Sequence, residues 1–171
     1  MSTEGTRRES QRRQVTVLFC DIAGFTAMSE KMDPEEVTAV MSPVLHLVES
    51  VIREHGGTVD KYIGDCVMAL FGAPHAVEDA PRRALETALE IQRRIADRTR
   101  ESATPLGAPL AVHIGINSGV VVAGELGSQA RHEFTVIGDT VNIASRLRDA
   151  AKAGKILVGP ETTLSRGRAA G

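Results

Sequence analysis

Apolar residues fall into two spacings along this chain, and the switches between them outline the elements. Val15 to Asp21 is a run rich in Val, Leu and Phe that ends on a carboxylate, and it predicts a first strand. After a turn at Gly24 and a short helical patch, Asp33-Pro34-Glu35-Glu36 marks a helix start, with a capping aspartate, proline in the first position and glutamate in the third. Val37, Val40, Met41, Val44, Val48, Val51 and Ile52 then keep helical spacing until His55-Gly56-Gly57 stops it, with a kink expected at Pro43. Thr58 to Ile63 and Cys66 to Phe71 read as strands joined at Gly64-Asp65. Glu78-Asp79-Ala80-Pro81 opens a second long helix, striped by Ala84, Leu85, Ala88, Leu89, Ile91 and Ile95, which runs out before a loop around Pro105-Leu106-Gly107. Leu110 to Ile116 and Val120 to Ala123 predict a hairpin about Asn117-Ser118-Gly119. Phe134 to Ile137 reads as a strand, Thr140 to Ala151 as a helix and Ile156 to Val158 as a last strand. This order predicts an α+β sandwich with helices on one face of a largely antiparallel sheet.

Composition narrows the class. The 171 residues suit one domain with a real core. A net charge of −2 gives no footprint for nucleic acid. No apolar run reaches the ~20 residues of a membrane span, and MSTEGTRRESQRR has no apolar stretch to make a secretory signal. Two cysteines, Cys20 and Cys66, fit a reducing compartment, so a soluble cytoplasmic domain is expected. Residues 1–13 read as a flexible lead-in, 14–164 as one folded domain and 165–171 as a disordered tail.

Two carboxylates stand where charge is costly. Asp21 ends the first strand, and Asp65 sits in the turn joining the next two. If the third strand lies beside the first, they meet at one sheet edge and need a cation between them. Hard oxygen ligands suit Mg²⁺ or Mn²⁺, and two such ions can activate an attacking oxygen and neutralise phosphate charge. Taken alone, each aspartate reads as a turn former or a loop cap; taken together they favour a metal site.

A second cluster is Phe134-Thr135-Val136-Ile137-Gly138-Asp139-Thr140-Val141-Asn142-Ile143-Ala144-Ser145-Arg146-Leu147, where Asn142 and Arg146 are one helical turn apart on one face. A guanidinium beside an amide suits a phosphate and a ribose oxygen, although an isolated pair of this kind would read as a solvated helix face.

With Phe19-Cys20-Asp21-Ile22-Ala23-Gly24-Phe25-Thr26, Lys61-Tyr62-Ile63-Gly64-Asp65 and the Gly138 to Arg146 block in register, the chain resembles the catalytic domain of class III nucleotide cyclases. These enzymes turn ATP or GTP into a 3′,5′-cyclic nucleotide and pyrophosphate. The resemblance runs from about Gln14 to Pro160. It implies a ferredoxin-like core and a head-to-tail homodimer with shared active sites. Asp21 and Asp65 would hold two Mg²⁺ or Mn²⁺ ions, joined by the Ile22 carbonyl. Asn142 would orient the ribose, Arg146 would stabilise charge on the α-phosphate, and Lys61 with Thr135 would read the purine.

Lys61 can donate to adenine N1 and the Thr135 hydroxyl can accept from the 6-amino group, so the expected substrate is ATP. Lys with Thr matches a subgroup of adenylate cyclases, some of them bicarbonate-responsive, whereas guanylate cyclases of the family usually carry Glu and a small polar residue. Family domains usually continue into a final hairpin bearing a triphosphate-binding lysine. Here the sequence after the last strand reads Thr163-Leu164-Ser165-Arg166-Gly167-Arg168-Ala169-Ala170-Gly171, so that hairpin is expected to be missing and regulatory domains to lie outside this chain.

His46, His55, His75, His113 and His132 lack metal-ligand spacing, and the Arg82-Arg83 and Arg93-Arg94 pairs read as a solvated helix face. Strand alternation points Cys20 away from the carboxylates. No Walker phosphate loop is present. Two alternatives accompany the adenylate cyclase reading. One is a degenerate cyclase domain serving as a nucleotide-binding or dimerisation module. The other is a dinucleotide cyclase, against which the absence of a Gly-Gly-Asp/Glu-Glu-Phe turn counts.

Overall fold

The computed structural model describes residues 10–101, 110–126 and 133–162. The elements are β1 (Gln11–Ile22), α1 (Phe25–Ser29), α2 (Pro34–Glu54), β2 (Thr58–Ile63), β3 (Cys66–Phe71), α3 (Ala80–Glu101), β4 (Val112–Leu126), β5 (Glu133–Ile137), α4 (Asp139–Ala150) and β6 (Ile156–Val158). β1 begins inside the stretch expected to be flexible. The 165–171 tail and the loop around Pro105 lie outside the described residues.

The strand order is β2-β3-β1-β4-β5, and β6 pairs with β4. Every pairing is antiparallel except β4 with β6. β1 is central because its Val15 to Cys20 run is apolar or buried at every position, the mark of a strand covered on both faces. Val15, Val17 and Phe19 pack with Ala144 of α4, whereas Leu18, Cys20 and Ile22 pack with residues of α2 and α3. Helices therefore cover both faces, not one. The alternation of β1 demands this, since two opposite apolar faces each need a cover.

The expected hairpin at Asn117-Ser118-Gly119 is also corrected. β4 runs straight through those residues and pairs with β1 from Ile22↔Val112 to Gln11↔Ala123. Asn117 and Ser118 are buried, and their polar atoms are occupied by other segments rather than by a turn. Asn117 Nδ2 donates to the Thr140 carbonyl at 3.2 Å. Ser118 Oγ lies 2.8 Å from both Thr16 Oγ1 and Thr162 Oγ1. Satisfied hydrogen bonds let turn-forming residues sit inside a sheet.

α2 begins as its sequence signals: the Glu36 carboxylate accepts from the Asp33 N–H at 3.4 Å, and the helix continues through Pro43 to Glu54. Along α3, Arg93 and Arg94 both pair with Glu90, and Arg94 reaches Glu54 of α2 at 2.7 Å. Among the described residues, no helix is long and apolar enough to cross a membrane.

Candidate active site

The carboxylates meet because of register. β1 and β3 pair with Asp21 opposite Cys66, which places Asp65, one residue earlier, at the same end of the sheet. The turn before Asp65 needs Gly64, whose φ of +61° lies in the left-handed region that side chains avoid. Burial raises the Asp65 carboxyl to about 6, helped by a hydrogen bond shared with Asp21 and by that neighbour's charge. Asp21 Oδ1 accepts from the Ile22 N–H at 2.9 Å. Ile22 itself is buried at the end of β1.

This donor set fits a hard divalent cation. Two acids at one end of the sheet, joined by a hydrogen bond, gain from a positive charge, and the Ile22 carbonyl could add a neutral oxygen. No group of three or more His, Cys, Asp or Glu side chains among the described residues forms a closed metal cage. An ion here would keep open positions for water or phosphate oxygens, as Mg²⁺ commonly does.

Around the acids lies a network absent from the sequence reading. His113 stands opposite Asp21 in the β1–β4 register. Its Nε2 is 3.5 Å from Asp21 Oδ2, and its Nδ1 is 2.7 Å from the Arg148 carbonyl. A carbonyl only accepts, so Nδ1 carries a hydrogen. The Arg148 guanidinium donates to Cys66 Sγ at 3.1 Å and lies 5.2 Å above the Phe19 ring. Burial pushes the Cys66 thiol up, against the opposing pull of Arg148. His113 was dismissed for lacking ligand spacing. Its role depends on which residue it faces across strands, which no local pattern records.

α4 presents Asn142 and Arg146 on the side away from the core. Both are exposed, while Thr140 and Ala144 are buried beneath. Neither side chain makes a hydrogen bond or ion pair with another described residue. Lys61 projects half-exposed from β2, with Nζ 3.5 Å from Asp60 Oδ2. Thr135 lies on β5 opposite Gly124. Lys61 and Thr135 thus occupy opposite edge strands, with β3, β1 and β4 between them. The structure unites Asp21, Ile22 and Asp65, and leaves Asn142, Arg146, Lys61 and Thr135 on other surfaces of the same chain.

An α+β sheet with two acids at the β1 and β2–β3 ends defines a nucleotide cyclase catalytic domain. Residues 8–168 match the adenylate and guanylate cyclase catalytic domain, and the chain belongs to that family. An adenylate cyclase of Anabaena cylindrica is 40% identical over 144 residues, 82% of this chain and 28% of that protein. The chain therefore spans little more than a quarter of that relative. The crystal structure of the adenylyl cyclase CyaB from P. aeruginosa superposes with a TM-score of 0.87 at 35% identity, covering 94% of this chain and 83% of that one. The guanylyl cyclase Cya2 follows with a TM-score of 0.84 at 37% identity, covering 91% and 79%. Adenylyl and guanylyl cyclases both stand among the similar structures, so likeness gives the family and does not distinguish the base.

Proposed function

We propose that this domain converts ATP to 3′,5′-cyclic AMP and pyrophosphate, in a homodimer whose active sites each combine residues of both chains. The observation that carries the reading is the Asp21–Asp65 pair at one end of the sheet, where burial, and after it the hydrogen bond and charge of Asp21, raise the Asp65 carboxyl to about 6. Asp21, Asp65 and the Ile22 carbonyl would hold two Mg²⁺ or Mn²⁺ ions. When bound, such ions supply activation of the attacking ribose oxygen and neutralisation of phosphate charge.

The other roles fall to side chains that reach outward. Asn142 orients the ribose, and Arg146 meets the charge that grows on the α-phosphate. Their exposure, with no hydrogen bond or ion pair to another described residue, supports a ligand or second subunit as their counterpart. Lys61 donates to adenine N1 and Thr135 accepts from the 6-amino group. Joint reading of one base by residues on opposite edge strands is part of this proposal, as is the cytoplasmic placement drawn from the two free, buried cysteines. The degenerate-module alternative is disfavoured by the intact acid pair.

Incubation with Mn²⁺ and either ATP or GTP, followed by chromatography, tests the reading. Cyclic AMP is expected as the main product. Absence of any cyclic nucleotide would favour the binding module, and a preference for GTP would overturn the purine assignment.

A further inference from the structure

We propose that Arg148 is a positioning residue for the carboxylate pair, fastening to α4 the two strand ends that carry Asp21 and Asp65. The inference rests on the reading of those acids as metal-holding.

Three contacts of Arg148 land beside the acids. Its Nη1 donates to the sulfur of Cys66, the residue after Asp65, at 3.1 Å. Its guanidinium covers Phe19, two residues before Asp21 on the same face of β1, at 5.2 Å from the ring centroid. Its carbonyl accepts from His113, whose other ring nitrogen faces Asp21. The side chain is only 15% exposed, and its Nη2 also donates to Ser145 Oγ at 3.1 Å and to Asp149 Oδ1 at 2.9 Å. The main chain is equally fixed: a β-carbon built on Gly115 would stand 2.2 Å from the Arg148 nitrogen, so α4 rests on β4 at this point.

An arginine that only solvates a helix would extend into water. This one spreads a planar fork over a thiol, a hydroxyl and a carboxylate while stacking on a ring, which the single ammonium of lysine cannot reproduce. Outer-shell partners that orient metal ligands commonly affect metal affinity by about 10–100-fold. The Arg148 side chain acts one step further out, through Cys66 and Phe19, so an effect of about tenfold is expected.

The test is Mn²⁺ binding to the full chain, read from the electron paramagnetic resonance signal of the free ion, alongside metal-free melting curves. Arg148→Met should weaken Mn²⁺ binding about tenfold, and Arg148→Lys should fall between it and wild type. Should Arg148→Met fail to fold, Cys66 decides: Cys66→Ala removes the acceptor and should weaken binding, while Cys66→Ser supplies a new one and should restore it. Because Ala and Ser are close to each other in volume, loss of packing at this buried position would not by itself make Ser bind metal better than Ala. Asp21→Asn serves as the reference. Loss of Mn²⁺ binding in Asp21→Asn with wild-type affinity in both Arg148→Met and Cys66→Ala overturns the positioning role and leaves the acid site standing. Wild-type affinity in Asp21→Asn removes the metal reading itself, and this proposal with it.

Discussion

Gly115 and Arg148 touch through their backbones: no side chain fits between the β4 residue and the helix above it. A methyl group at Gly115 would meet the Ala144 carbonyl at 2.3 Å as well as the Arg148 nitrogen at 2.2 Å. Neither neighbour is the free end of a flexible side chain. Gly115→Ala is therefore expected to cost about 1–3 kcal/mol by overpacking. Thermal unfolding should show it as a loss of about 2–4 °C for each kcal/mol. An unchanged melting temperature would mean that α4 does not rest on β4 here.

The Asp65 carboxyl makes a second prediction. Its folded value of about 6 lies above the ordinary 3.8, so between those values the metal-free fold holds a proton that the unfolded chain has lost. The unfolded state binds fewer protons, and stability must fall as pH rises. This group's contribution is full below 3.8 and gone above about 6. Melting curves of metal-free protein should decline across that window, and Asp65→Asn should flatten the decline. Stabilisation by added Mn²⁺ should grow over the same interval, because binding displaces the proton. A slope that survives Asp65→Asn would assign the titration to another group.

Base choice can be exchanged. Lys61→Glu with Thr135→Cys replaces a donor by an acceptor and removes the hydroxyl acceptor, so ATP turnover should drop and some GTP turnover appear. A mismatched buried polar group costs about 1–3 kcal/mol, enough for a tenfold or larger change in the ATP/GTP ratio of kcat/KM. A constant ratio would show that these residues do not touch the base.

The composite site predicts complementation. Asp21→Ala and Arg146→Ala homodimers should both be inactive, since each lacks one part in both sites. In a mixed dimer the two lesions fall in one site and the other is intact. Random exchange makes about half the dimers mixed, each with one working site, so about a quarter of wild-type activity should return. Mixtures that stay inactive while mass spectrometry detects mixed dimers would place both residues in one chain's own site.

Much of this was legible because strands and helices announce themselves locally. Val15 to Asp21 read as a strand ending on an acid, and the Asp21–Asp65 meeting followed from one assumption about which strand lies beside β1. That assumption matches the register of Asp21 with Cys66. Local reading failed where a distant segment decided the outcome. Asn117-Ser118-Gly119 carries every mark of a turn, yet Thr16, Thr140 and Thr162 satisfy its polar atoms and keep β4 straight. The order of elements does not show which face each helix covers; the unbroken apolar run of β1, with Val17 facing α4 and Leu18 facing α2 and α3, requires a cover on both. His113 and Arg148 were invisible for the same reason: their neighbours lie 35 and 82 residues away in sequence.

The strand order sets how freely each part of the site can vary. Asp21 ends the central strand, bonded on both sides by β3 and β4, so its backbone amides should be among the slowest to exchange with deuterated water. Lys61 and Thr135 sit on the rims, where one flank of the strand has no ladder partner among the described residues. Over evolutionary time the acid pair is then the inheritance that persists, and the residues proposed to read the base are the ones free to drift. A lineage could exchange one nucleotide messenger for another by changes at the rim, leaving the centre as it was.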